Sequence, residues 1–192
     1  MPVKPPKLAG NFLIAMPGLA DPNFWQSVVL LGVHSHDEGA FGLVVNRMLD
    51  VDLCEILLEI GEEPVDDELP EVLAGGPVQP SHGFVLFERD EHEAPADEDI
   101  AISDTISVSG STETLARLAS GSTEGRYFLL LGYSGWHPGQ LEREIEDNSW
   151  VIAPLDTSIL FDVPAEERWS AALRSIGIEP GALVDTGAAE PS

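Results

Sequence analysis

Short apolar runs separated by turn residues dominate the first fifty positions. NFLIA (11–15) and SVVLLGV (27–33) are β-branched and aliphatic and are bounded by turn-forming residues, which is the pattern of buried strands. Between them, GLADPNFW places Asp21-Pro22 at a turn, and Phe24 and Trp25 supply apolar surface expected to cover a sheet. HSHDEGAFGLVVN turns at 37–39 and re-enters an apolar strand, so residues 27–46 predict a β-hairpin.

The period then changes. Leu53, Ile56, Leu57 and Ile60 recur at helical spacing, Asp52 and Glu55 form an N-terminal cap pair, and Gly61 supplies a stop, predicting a helix over 51–60. Residues 62–71 and 88–99 are acidic and contain proline, and read as solvated loops around a strand at 83–87. A strand-like stretch over 100–108 precedes a short helix that Ser111 or Thr112 caps, that carries Leu115 and Leu118, and that Gly121 ends. The core strand YFLLLG (127–132) leads through the turn YSGWHPG into QLEREIED, a helix with Leu141 and Ile145 inward and Glu142, Arg143, Glu144 and Glu146 solvated. SWVIAP and SILF read as two further strands. A last helix over 164–176, capped by Asp162, is expected to bury Trp169, Ala172, Leu173 and Ile176. Hairpin-like strands mixed with separate helices predict an α+β fold in one domain, residues 1–187, followed by a disordered tail at 188–192.

Composition constrains partners more than fold. The 192 residues include 34 Asp plus Glu against 9 Lys plus Arg, a formal charge of -25, yet 43% are hydrophobic, too many for a disordered acidic chain. The cations are scattered without forming a stripe, so direct DNA or RNA binding and anionic membrane surfaces are both disfavoured. Self-repulsion among the carboxylates predicts salt-dependent folding. The single Cys54 excludes an intramolecular disulfide and reads as a packed thiol in a reducing compartment, hence a cytoplasmic protein. Lys4 and Lys7 before LAGNFLIAM mimic a signal peptide, but Pro2, Pro5, Pro6, Gly10 and Asn11 interrupt it, and no apolar run approaches the ~18 residues of a membrane span.

Candidate chemistry is sparse. GYSGW stands between a strand and a helix, as a nucleophile elbow does, but Ser134 is followed by Gly135 and the bulky Trp136 where a second glycine should lie two positions on, so a structural turn is the reading. His34 and His36 project from one face of an extended strand, yet no second ligand cluster completes a metal site, and His82, His92 and His137 are isolated. LAGGPVQPSHG lacks both phosphate-loop and dinucleotide spacing, and the run Asp97, Glu98, Asp99 lacks a calcium loop's alternation. Tyr133, Trp136 and Trp150 form either an aromatic pocket or part of the core.

Three segments taken together are more specific: 15–47, with Gly-Leu-x-Asp-Pro-x-Phe and Gly-Leu-Val-Val-Asn-Arg; 73–86, with Gly-Gly-Pro-Val; and 129–152, with Gly-Trp-x-x-Gly-Gln-Leu-Glu. In this order they resemble the AlgH/YqgE family of bacterial proteins. Met48 stands where proline commonly follows the Asn-Arg pair, and His137-Pro138 fill variable positions. The resemblance implies an α+β fold with a largely antiparallel, partly closed sheet surrounded by helices, and a cytosolic protein without cofactor or established reaction. It also carries a label of transcriptional regulator, which this composition permits only without direct DNA contact. The functional expectation is a non-catalytic binding or regulatory protein, with an unidentified protein or small molecule as partner. Its candidate contacts are Asn46, Arg47, Ser81, His82, Trp136 and Gln140, on loops expected to meet on one side of the sheet. Arg47 beside Asn46 and Gln140 offers directed donors to a carboxylate, phosphate or backbone, or else neutralises local acids. The alternative is a small hydrolase or metal-dependent enzyme using Ser134 or His34 and His36.

Overall fold

Why each run settles into its element is mostly local. A computed structural model describes residues 7–187 and contains no membrane-length apolar helix among them; the expected tail at 188–192 lies outside the described residues. Strand β1 (Asn11–Ala15) leads to a 3-10 turn (Pro22–Phe24), whose Asp21 carboxylate accepts the Asn23 N–H at 2.9 Å. Strands β2 (Val28–Ser35) and β3 (Gly39–Val44) follow, then helix α1 (Leu53–Glu59) with Asp52 as N-cap, accepting from Cys54 N at 2.8 Å. Strands β4 (Val72–Ala74), β5 (Val78–Glu88), β6 (Ile100–Ala101) and β7 (Ile106–Ser109) precede helix α2 (Thr112–Ala119), capped by Ser111. Strand β8 (Tyr127–Trp136), helix α3 (Gln140–Glu146), strand β9 (Trp150–Pro154) and helix α4 (Thr157–Phe161) come next. A 3-10 turn (Ala165–Glu167) and helices α5 (Arg168–Ser175) and α6 (Pro180–Gly187) complete the described chain.

Several expected boundaries move for physical reasons. SILF is helical, because the Asp156 carboxylate accepts from both Ser158 N at 2.9 Å and Ser158 Oγ at 2.6 Å and so nucleates a turn that a run of three apolar residues cannot signal. Asp162 ends α4 instead of capping the next helix, and Pro164 starts that segment as a 3-10 turn. The stretch 100–108 divides into two short strands, with Ser103 Oγ accepting from Thr105 N and Ile106 N in the turn between them. Strand β8 runs four residues past 132, so the expected turn begins only at His137.

The contacts divide the described chain into two compact units, residues 7–42 with 135–187 and residues 43–134. In the first, β1 pairs antiparallel with both β2 and β9, and β3 neighbours β2. Phe12, Leu13, Ile14, Leu30 and Trp150 are buried there, and α5 lies against these strands with Trp169 Nε1 donating to the Ala15 carbonyl at 2.9 Å. In the second, the order is β6-β7-β5-β8 with antiparallel pairings, and β4 joins β8 in parallel. Helices α1 and α2 bury Leu53, Leu57, Leu115 and Leu118 against Val85, Phe87 and Leu129. Leu86 and Leu130 alternate to the opposite face and are equally buried, which is why these strands read as continuous apolar runs instead of alternating ones. The fold is α+β and its strands are largely antiparallel; neither series closes into a barrel.

Candidate functional site

In the first unit, helix α3 carries most of the polar chemistry. Gly139, at φ 75°, turns the chain out of β8, and buried Leu141 pins the helix, so Glu142 and Glu144, two residues apart, project in different directions. Glu142 meets strand β2. His34 Nε2–H donates to Glu142 Oε1 at 2.6 Å from near the end of β2, and His36 Nδ1, in the turn just past the strand, lies 3.5 Å from the same oxygen. Burial pushes the Glu142 carboxyl up, but its own backbone N–H and the two imidazoles outweigh this and hold it below the ordinary glutamate range. His34 is 11% exposed and engaged, whereas His36 is 71% exposed. Among the described residues no group of three or more His, Cys, Asp or Glu side chains is arranged to hold a metal ion.

Glu144 is the larger correction to the sequence reading, which left it in water. Its Oε2 accepts from Trp136 Nε1 at 2.9 Å and from Trp150 Nε1 at 2.8 Å, while Oε1 accepts from Gln140 Nε2 at 2.8 Å. Gln140 Oε1 in turn accepts the His137 N–H at 3.0 Å. Two indoles buried to 6% and 2% exposure need acceptors, and one carboxylate serves both. Phe24 packs at 6.2 Å from Trp136 and 5.4 Å from Trp150, and the indoles meet edge to face at 6.0 Å. The aromatic cluster is therefore core. The structure brings Trp136 and Gln140 together, as the candidate list placed them, but through bonds to each other's carboxylate partner. Trp25, expected to help cover the sheet, is 66% exposed instead.

In the second unit, Ser134 sits inside β8 with no exposed surface, and its hydroxyl donates to the Gly75 carbonyl at 3.3 Å. The structural turn expected at Ser134 is thus corrected to a strand position with a buried hydroxyl. Gly75-Gly76, expected in a loop, packs against that strand: Gly75 N donates to the Leu131 carbonyl at 2.8 Å, and a Cβ on Gly76, at φ 154°, would fall 2.2 Å from the Tyr133 carbonyl. Only glycine fits there. The glycine pair is required by this strand packing. Asn46-Arg47 follows β3, and the Arg47 carbonyl accepts from Ala74 N at 2.8 Å, so this segment runs beside β4.

Ser81 and His82 stand elsewhere in that unit. Gln79 adopts φ 46°, the β5–β8 register shifts between Val78 and Gly83, and the intervening side chains of Ser81 and His82 are exposed. His82 rests edge-on against Phe84 at 4.8 Å. Both residues border a groove of about 310 Å³ between α1 and α2, walled by Ile56, Ile60 and Leu115 and floored by Gly83, Leu129 and Leu131. Helical spacing alone assigned Ile56 and Ile60 to a core face. What it could not show is that Ile56 packs on that core while also lining an open groove, and that Ile60, at the end of α1, is 40% exposed.

The profile of a family described as AlgH-like matches residues 12–181. A UPF0301 protein of Anaeromyxobacter sp. (strain K) is 44% identical over 195 residues, covering 97% of each chain. A UPF0301 protein of Magnetococcus marinus is 40% identical over 181 residues, 93% of this chain and 94% of its own. The solution structure of the AlgH protein from Pseudomonas aeruginosa superposes with a TM-score of 0.73 at 37% identity, covering 100% of this chain and 98% of that one. A Corynebacterium diphtheriae protein shares the fold, with a TM-score of 0.70 at 23% identity over 90% and 88% of the two chains.

Proposed function

Because the chain belongs to the AlgH-like family, whose relatives bring no reaction with them, we propose from its own geometry that it is a non-catalytic binding protein. The α1–α2 groove is its contact surface. One observation carries this reading: Ser81 and His82 present exposed polar side chains at the mouth of an apolar groove, beside Ile60 at 40% exposure. The groups that chemistry would need are engaged elsewhere, Ser134 on Gly75, His34 on Glu142, and Glu144 on two indoles. Of the six candidate contacts, Ser81 and His82 are retained as ligand-facing. Trp136 and Gln140 become scaffold, and Asn46-Arg47 act in shaping the strand β4 edge. A transcriptional role then runs through a protein partner, in keeping with the acid surface and a cytoplasmic location.

The test has two arms. Turnover of p-nitrophenyl acetate should stay at the buffer rate and be unaltered in Ser134→Ala. In an amide-resolved NMR titration, a short amphipathic peptide should shift the resonances of Ser81, His82, Gly83 and Ile60 first. Saturable turnover lost in Ser134→Ala would end the non-catalytic reading, and shifts that avoid these four residues would end the assignment of the groove.

A further inference from the structure

The groove's surroundings narrow the class of partner. Residues 43–134 hold twenty Asp and Glu against four arginines, Arg47, Arg89, Arg117 and Arg126. Arg126 forms a two-pronged pair with Glu88, both bonds at 2.9 Å, and Arg89 donates to Ser107 Oγ and to the Glu93 and Ser103 carbonyls at 2.7 to 2.8 Å. Between Arg47 and Arg89 there is no Lys or Arg at all, and that stretch contains the whole of α1 with Asp52, Glu55 and Glu59, followed at once by Glu62 and Glu63. On α1, exposed Glu59 lies about two-thirds of a right angle around the helix from Ile56, and Glu62 and Glu63 follow Ile60 two and three positions on, so the apolar wall ends at an anionic rim. An anionic ligand is repelled from such a rim, and a cation is drawn to it.

Shape supplies the other half. At about 310 Å³ the cavity stands at the small end of ligand sites, enough for a few aliphatic side chains. Two helices over a sheet floor form the kind of trough that accepts the apolar stripe of a third helix, anchored at spacings of three, four and seven. We infer that the groove binds a basic amphipathic helix of a partner protein, its aliphatic side chains seated between α1 and α2 and its Lys and Arg residues facing the acids of α1. This rests on the binding reading above.

Gly83 gives a direct means of testing it. A Cβ there would lie 3.4 Å from Leu129 Cδ1 and 3.9 Å from Leu131 Cδ2, ordinary contacts, so a side chain can start from this position, and Gly83→Leu adds its bulk to the groove floor. Ile60→Glu, at a 40% exposed position, is the second variant should Gly83→Leu fail to fold. Three fluorescein-labelled 18-residue peptides are titrated into the full chain by anisotropy: a Leu/Lys amphipathic helix, the same peptide with Glu for every Lys, and a scrambled Leu/Lys peptide with no apolar stripe. The Leu/Lys helix should bind best, at least about tenfold tighter than either control, and lose about tenfold or more in the plugged variant. Glu59→Lys with Glu63→Lys should weaken it further, with a loss that shrinks in about 1 M salt. Equal binding of the Glu-for-Lys helix overturns the charge inference but leaves the groove as a binding site. Equal binding of the scrambled peptide, unaffected by Gly83→Leu and Ile60→Glu, means bulk attraction alone and overturns both. No binding of any peptide does the same.

Discussion

The α3 cluster and the α1–α2 groove make opposite use of similar materials. Around α3, two tryptophans, a glutamine and two glutamates are joined so that nearly every polar atom has a partner inside the unit. Along the groove, aliphatic side chains and Ser81 and His82 are left at an accessible edge. A residue type that suggests a site, such as Trp136, can thus be a scaffold, whereas residues that suggest core, such as Ile56 and Ile60, can line the open surface. The difference lies in whether a second element arrives to cover them.

The comparison can be broken first at the indoles. Trp150→Ala should cost about 3–5 kcal/mol, measured by urea unfolding, because it empties a fully packed position and strands one bond to Glu144. A cost under about 1 kcal/mol would mean the cluster is not core. Glu144→Leu should cost about 2–4 kcal/mol by leaving two buried indole N–H groups without an acceptor, and Glu144→Gln, which keeps one acceptor oxygen, should recover part of it. If Glu144→Leu is neutral, the carboxylate is not what holds the tryptophans.

Smaller effects sharpen the contrast. The Glu142 carboxyl titrates below its ordinary value of 4.5 in the folded chain, so its stabilisation is complete above that value and is lost as pH falls through the lowered folded pKa. The wild-type advantage over Glu142→Gln, less than about 1 kcal/mol after solvent screening, should therefore be full at neutral pH and narrow in the acid limb. An advantage that grows toward low pH would contradict the His34–Glu142 bond as its source. Smallest of all, Ile60→Glu should shift unfolding by no more than about 0.5 kcal/mol, since the position is already at a wet edge. A loss comparable to Glu144→Leu would show that the groove is closed in solution.

Local rules found most of the elements and only part of the site. Asp52, Ser111 and Asp21 cap or start turns where their side-chain chemistry says they should, and YFLLLG and GFVLF become central strands because their apolar runs exceed what one buried face requires. SILF escaped because three apolar residues carry no distinguishable period, and Gly75-Gly76 escaped because its constraint comes from β8, more than fifty positions away. His34 lies on β2 as expected, but His36 falls in the turn beyond it, and the Glu142 that both approach is 108 residues from His34, a separation no spacing rule spans.

By itself the sequence determined the anionic surface, the α+β class, the family motifs and the lack of a compact reactive motif, since each depends on composition or on neighbours within a few residues. Tertiary structure alone decided that Glu144 belongs to two tryptophans, that Ser134 is enclosed by Gly75, and that Ile56 and Ile60 face an open groove. Burial and hydrogen-bond partnership are properties of pairs brought together from distant parts of the chain, and those pairings exist only once the sheets and helices have packed.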